Sequence, residues 1–201
     1  RSEDIISSPD AETVYEVPLQ FHEQSLLAKV CQKLGLEFRE PALDEWTGLV
    51  KKIKAPKKKK ITIAIVGKYF KTGEYQLRDS YAALMDAIDH AAWANEAEVK
   101  TLWIDAEKVE QQGESVIPAV HGLIVPIGWG ERGSEGMISA AGFARRNKIP
   151  YLGLCYGMQL AVVAFAREIL GWPNPVESKS TLASAMASPF KAGSAVISNG
   201  S

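Results

Sequence analysis

The chain is poor in the residues that most often announce a chemistry. Its 201 residues include two cysteines and three histidines. Cys31 and Cys155 lie far apart, which rules out a clustered zinc module and a disulfide-stapled secreted domain and predicts a reducing, cytoplasmic setting. An excess of one charge is missing too. Lys+Arg number 23 and Asp+Glu 24, a formal charge of -1, which argues against nucleic acid or a membrane surface as the main partner. No unbroken apolar run approaches the ~18 residues of a membrane span, and the polar start "RSEDIISSPD" is unlike a signal peptide. What is present, 46% hydrophobic and 23% charged residues, suits one good core with an attachment.

The pattern along the chain divides it. Two short helical patterns, around "HEQSLLAKVCQKLGL" and "LDEWTGLVKKIK", precede the basic run "KAPKKKK", which reads as a solvated linker. The next stretch, "ITIAIVGKY", has the β-branched apolar character of a buried strand. From there elements alternate. "YQLRDSYAALMDAIDHAAWA" sets Leu77, Tyr81, Leu84, Met85, Ile88 and Ala92 at helical spacing. "VKTLWID", "HGLIVPI" and "YLGLC" read as strands, while "EGMISAAGFARRNK" and "GMQLAVVAFAREIL" read as helices. Strands alternating with helices predict an α/β fold, a mostly parallel sheet flanked by helices, with sites at the carboxyl ends of the strands. The tail "TLASAMASPFKAGSAVISNGS" has no clear period; a loop, a disordered end and one weak strand at "SAVIS" all fit it.

Chemistry concentrates at Gly153-Leu154-Cys155-Tyr156-Gly157. The spacing G-x-nucleophile-x-G between a strand and a helix is that of a nucleophile elbow, where glycine removes collisions at a sharp turn. A thiol at a helix N-terminus also meets partial positive charge. An oxyanion on the substrate would meet the backbone N–H of Tyr156 and a second donor from the glycine-rich "VPIGWGERGSEG", which follows another strand.

These stretches, with "VYEVPLQFHEQ", "ARRNKIPYLGLCYGMQLAVVAFAR" and "LGW", resemble the CTP synthase family at the join between its synthetase domain and its class I glutamine amidotransferase domain, across residues 14–172. The resemblance implies a class I glutamine amidotransferase fold. It divides the chain into the last piece of a synthetase domain (1–40), a linker (41–60), an apparently incomplete amidotransferase domain (61–178) and a tail (179–201). It implies that Cys155 attacks the side-chain amide of glutamine, forms a thioester and releases ammonia for the ATP-dependent amination of UTP. Gly128, Tyr156, Gly157, Met158 and Gln159 then match positions around the bound glutamine and its oxyanion, and Arg132 falls near the family's GTP effector. No cofactor or metal is implied for this chain itself. ATP and magnesium are expected in the full enzyme with GTP as effector, and the partners are glutamine, the rest of the synthetase domain and further copies in a tetramer or filament.

The departures are specific. Ile127-Gly128 stands where the family has two glycines, and Tyr156 where it has Leu. The glutamate expected to hold the substrate's α-amino group falls on Lys179 by counting, or on Glu177 after a two-residue loss. A cysteine amidase needs a histidine as base, and the family's His-x-Glu pair lies downstream of the cysteine. Here His22, His90 and His121 all precede Cys155. Three readings fit: a portion of a longer enzyme, a truncated or spliced form, or a degenerate module acting through ligand or subunit contacts. Little glutaminase turnover by the isolated chain is the expectation.

Overall fold

The chain separates into two units, Arg1–Pro56 and Lys57–Ser201. The computed structural model describes residues 4–68, 81–128 and 130–172, and the backbone of 195–197. In the first unit the helices are α1 (Val17–Glu23), α2 (Leu26–Leu34) and α3 (Asp44–Lys54). The pattern starting at His22 does not run through as one helix, because Ser25 takes a left-handed φ of 56° and the helix restarts after it. Gly35 ends α2 at φ 66°, its N–H reaching the carbonyls of Cys31 and Gln32. Trp46 of α3 donates its ring N–H to the Tyr15 carbonyl at 2.7 Å.

In the second unit the central strands carry apolar residues on both faces. Along β1 (Lys59–Gly67), Ala64 and Val66 face one side, while Ile63 and Ile65 face the other. α4 (Ala82–Ala94) lies on the Ile65 side through Leu84, Met85 and Ile88. β2 (Ala97–Asp105) runs directly into α5 (Ala106–Gln112), an element the sequence pattern does not reveal. β3 (Gly122–Val125), α6 (Ser134–Arg146), β4 (Tyr151–Gly153) and α7 (Tyr156–Ile169) follow. Val109, Met137 and Leu160 bring α5, α6 and α7 onto the Val66 side. Burial from both sides is why the strands read as apolar runs without alternation.

The sheet order is β2-β1-β3-β4-β5, with β5 at Ala195–Ile197. β1 to β4 pair in parallel, with Ile65 opposite both Trp103 and Ile124, and Val125 opposite Gly153. β5 runs antiparallel to β4, within the stretch that reads as a weak strand. The predicted α/β fold with a mostly parallel sheet flanked by helices is the one formed. The order reverses at β1, whose neighbours β2 and β3 leave in opposite directions. The carboxyl ends of β1 and β3 at this reversal are where an open α/β sheet places its ligands. The 75–80 part of the predicted helix and all of the tail but 195–197 lie outside the described residues.

Candidate active site

Three strand ends meet at this edge: β1 continues into Lys68, β3 into Pro126, Ile127 and Gly128, and β4 into Leu154 and Cys155. Cys155 is exposed and caps α7 at φ 52° and ψ -107°, a region that side chains seldom occupy. Its two flanking glycines explain how the chain turns there. A Cβ on Gly153 would stand 2.6 Å from the Met158 nitrogen and 2.7 Å from the Gly157 carbonyl carbon. One on Gly157 would stand 2.7 Å from the Val125 carbonyl carbon. The turn is tied to the sheet by Leu154 N–H donating to the Val125 carbonyl at 2.9 Å, and closed by Gly157 N–H donating to the Leu154 carbonyl at 3.0 Å. Below it, the buried Tyr151 hydroxyl donates to the Gly157 carbonyl at 2.8 Å, and burial pushes this phenol well above its ordinary pKa. α7 then opens with Gln159 N–H on the Cys155 carbonyl at 3.3 Å, and its first turn carries half-buried Met158 and Gln159.

The second wall is the loop after β3. Gly128 is buried, and a Cβ there would lie 3.4 Å from Cδ of Lys68. Ile127 turns its side chain outward at 46% exposure, and its carbonyl accepts the Tyr81 hydroxyl at 3.2 Å. Gly130 and Gly133 adopt φ of 103° and 71°, carrying the loop into α6. Arg132 pairs with Glu107 at 2.9 Å.

Lys68 joins the two walls, and motif reading did not single it out. It is 3% exposed. Its Nζ donates to the Gly130 carbonyl and, at 3.0 Å, to Ser134 Oγ, and lies 5.2 Å from the centroid of the Tyr156 ring. Burial, then the charge of Arg132, hold its ammonium below the ordinary lysine pKa, against an opposing pull from Glu110. The signal was present in "VGK": a lysine directly after a buried strand of a parallel sheet stands at the ligand edge.

Residues 76–198, more than half of the chain, match Glutamine amidotransferase class-I. The chain belongs to this amidotransferase family. It is 47% identical over 169 residues to CTP synthase of Thermococcus gammatolerans, covering 84% of this chain and 31% of that protein. To CTP synthase of Wolinella succinogenes it is 43% identical over 167 residues, covering 83% and 29%. The chain thus spans under a third of the length of these curated relatives. Among solved structures, the glutaminase domain of Trypanosoma brucei CTPS with bound acivicin superposes with a TM-score of 0.51 and 33% identity, over 57% of this chain and 43% of that one.

On the amidotransferase frame the histidines stand apart from Cys155 or in the other unit. His121 precedes β3 at the amino edge, its Nδ1 accepting the Thr62 N–H at 3.0 Å. His90 lies against Trp93, the rings tilted by 44° with centroids 5.3 Å apart, in the part of α4 that returns to the amino ends of the strands. His22, in the first unit, lies 3.4 Å from Glu40. Glu177 and Lys179 lie outside the described residues.

Proposed function

We propose that this chain is the glutamine-hydrolysing portion of a CTP synthase, with Cys155 as its nucleophile. One observation carries the reading: the cysteine inside the amidotransferase match stands exposed at positive φ, on a turn that two close-packed glycines permit. Its sulfur attacks the side-chain amide carbon of glutamine, forming a C–S bond while the carbonyl oxygen takes the charge. Collapse of that intermediate breaks the C–N bond as the nitrogen takes the proton the thiol gave up and leaves as ammonia, and water then opens the thioester to glutamate and returns a proton to the sulfur. The Tyr156 amide and the backbone at Gly128 face the developing oxyanion. Gly157, Met158 and Gln159 form the floor of the glutamine pocket.

The ammonia then serves an ATP-dependent amination of UTP to CTP in a synthetase domain, of which residues 1–40 are the last piece. ATP and magnesium belong to that domain. This chain's own contribution is the nucleophile and the backbone around it. GTP as effector, a tetramer or filament and a cytoplasmic setting complete the proposal; no helix among the described residues is long and apolar enough to cross a membrane.

The test is the rate of Cys155 modification by acivicin near neutral pH against that by iodoacetamide, with Cys155→Ala as control. Cys31, the other cysteine, is buried. Selective labelling that glutamine suppresses is the expected result. Acivicin labelling no faster than iodoacetamide predicts for an ordinary thiol, and indifferent to glutamine, overturns the reading. Turnover of glutamine by the 201-residue chain is expected to be lower by about 10²–10⁴ than with a base in place.

A further inference from the structure

The hydrolysis described above leaves one buried charge unused. Lys68 makes no ion pair with a carboxylate among the described residues, and its Nζ is held by an uncharged set: the Gly130 carbonyl, Ser134 Oγ and the Tyr156 ring. A buried ammonium with no carboxylate bonded to it is costly, so its partners must compensate it. Those partners come from the two segments beside Lys68. Gly130 belongs to the loop after β3, Ser134 opens α6, and Tyr156 follows Cys155. They are also joined to one another: Ser134 Oγ donates to the Gly130 carbonyl at 2.7 Å and lies 3.3 Å from the Tyr156 hydroxyl. The stem of Lys68 lies under Gly128, as the 3.4 Å approach to its Cδ records.

We propose that Lys68 is a positioning residue for the Cys155 site, fixing the glycine loop against Tyr156 so that the backbone at Gly128 faces the oxyanion. It does this without touching substrate. The inference rests on the amidotransferase reading, since it concerns how that site is held in register. The physical reason is preorganisation. A loop with glycines at 128, 130 and 133 has many conformations to lose, and donors aimed at a developing charge help only when already fixed in place. A charge-assisted bond from Nζ to the Gly130 carbonyl, stronger than a neutral one, is the strap. The Tyr156 ring faces the ammonium, its centroid 5.2 Å from Nζ, and adds a cation–π attraction.

The experiment compares kinact/KI for acivicin with the iodoacetamide rate, both at Cys155, in the wild-type chain and in Lys68→Met, which keeps an unbranched stem and removes Nζ. Expected is a fall in kinact/KI of about tenfold or more with the iodoacetamide rate within about twofold. A merely structural role would move both rates or neither. Ser134→Ala, which keeps the lysine and a helix-compatible residue at the start of α6, is the second variant, with an expected fall of about threefold to tenfold. If folded Lys68→Met keeps the wild-type kinact/KI, the strap is overturned while the amidotransferase reading stands. If Lys68→Met does not fold, an unchanged value in Ser134→Ala overturns it instead. Absence of selective labelling in the wild-type chain sinks both proposals, and is recognised because no variant is involved.

Discussion

A single methyl group added at Gly153 tests the link between packing and reactivity. The built Cβ stands 2.6 Å from the Met158 nitrogen, 2.7 Å from the Gly157 carbon and 2.8 Å from the Gly157 oxygen, all backbone atoms of the first turn of α7. Ordinary contact begins at 3.4 Å, so the turn must retreat by 0.8 Å (3.4 less 2.6). No side chain can swing aside to absorb this, and Leu154 N–H holds the turn to Val125 at 2.9 Å. Overpacking of this kind costs about 1–3 kcal/mol, partly offset by the ~0.5–1 kcal/mol that alanine regains from the unfolded chain. A net loss of about 1–2 kcal/mol corresponds to a urea midpoint lower by roughly 0.5–1 M at a slope of about 2 kcal/mol/M.

The same retreat carries Cys155 with it. Displacements near 1 Å at a reacting group can cost up to about 10²-fold, so acivicin labelling of Gly153→Ala should fall by about tenfold or more, while iodoacetamide labelling, which needs only an exposed thiol, stays within about twofold. Gly122→Ala is the matched control. Its Cβ would meet the Pro150 oxygen at 3.7 Å and Ile63 Cγ1 at 3.9 Å, ordinary distances, at the opposite edge of the same sheet. It should leave labelling unchanged and stability level or slightly higher. The reasoning is refuted if Gly153→Ala matches Gly122→Ala in both urea midpoint and acivicin rate.

Three other perturbations have worked signs. Cys155→Gly should be more stable than Cys155→Ala by about 1 kcal/mol in urea unfolding, because φ 52° strains any residue with a Cβ; equal midpoints would mean the turn is unstrained. Tyr151→Phe removes the 2.8 Å bond to the Gly157 carbonyl and should lose about 1 kcal/mol near pH 7. The native phenol holds its proton more tightly than the unfolded one, so its stabilisation is full below pH ~10 and declines above that by about 1.4 kcal/mol per pH unit, a decline the Phe variant lacks. The depressed Lys68 acts with the opposite sign only up to its unfolded value of about 10.5, so unfolding is compared above that pH, and parallel profiles would refute the prediction. Finally, burial pushes the Glu168 carboxyl up, but hydrogen bonds from Arg145 and Arg146 carry it below its ordinary value. Its contribution is therefore present above pH ~4.5 and lost as pH falls further. Glu168→Gln should be less stable by about 1 kcal/mol at pH 7, converging with the parent near pH 3; a gap that persists there would assign the loss to packing.

Strands and long helices were legible because burial on both faces leaves a signal in residue type. "ITIAIVG" and "GMQLAVVAFAREI" have few places to lie other than inside an α/β unit. α5 was not legible for the complementary reason. Its seven residues bury only Ala106 and Val109, too few to show a period of 3.6, and its N-cap, Asp105, is also the last residue of β2. Likewise α1 buries none of its residues, so nothing in "VPLQFHE" marks a helix apart from proline in its first turn.

At the candidate site the same distinction separates Cys155 from Lys68. The turn around Cys155 is largely a local matter: Gly153 and Gly157 lie within two residues of it, and the forbidden contacts at Gly153 are with the next turn, Gly157 and Met158, although those at Gly157 are with Val125 of β3. Lys68 depends on groups 62 and 66 positions away, Gly130 and Ser134, brought under it by the crossover of β2 and β3 on either side of β1. The lysine in "VGK" marks the ligand edge of the sheet, but nothing beside it in sequence names those partners. The Tyr156 substitution acquires its meaning only there. Beside Cys155 in sequence it is a large side chain where the resemblance leads one to expect Leu, whereas in the fold it is the aromatic face above a buried ammonium. A departure from the family motif at 156 therefore need not signal a decayed pocket, since an aromatic ring at that point compensates a charge that leucine would leave to the loop alone.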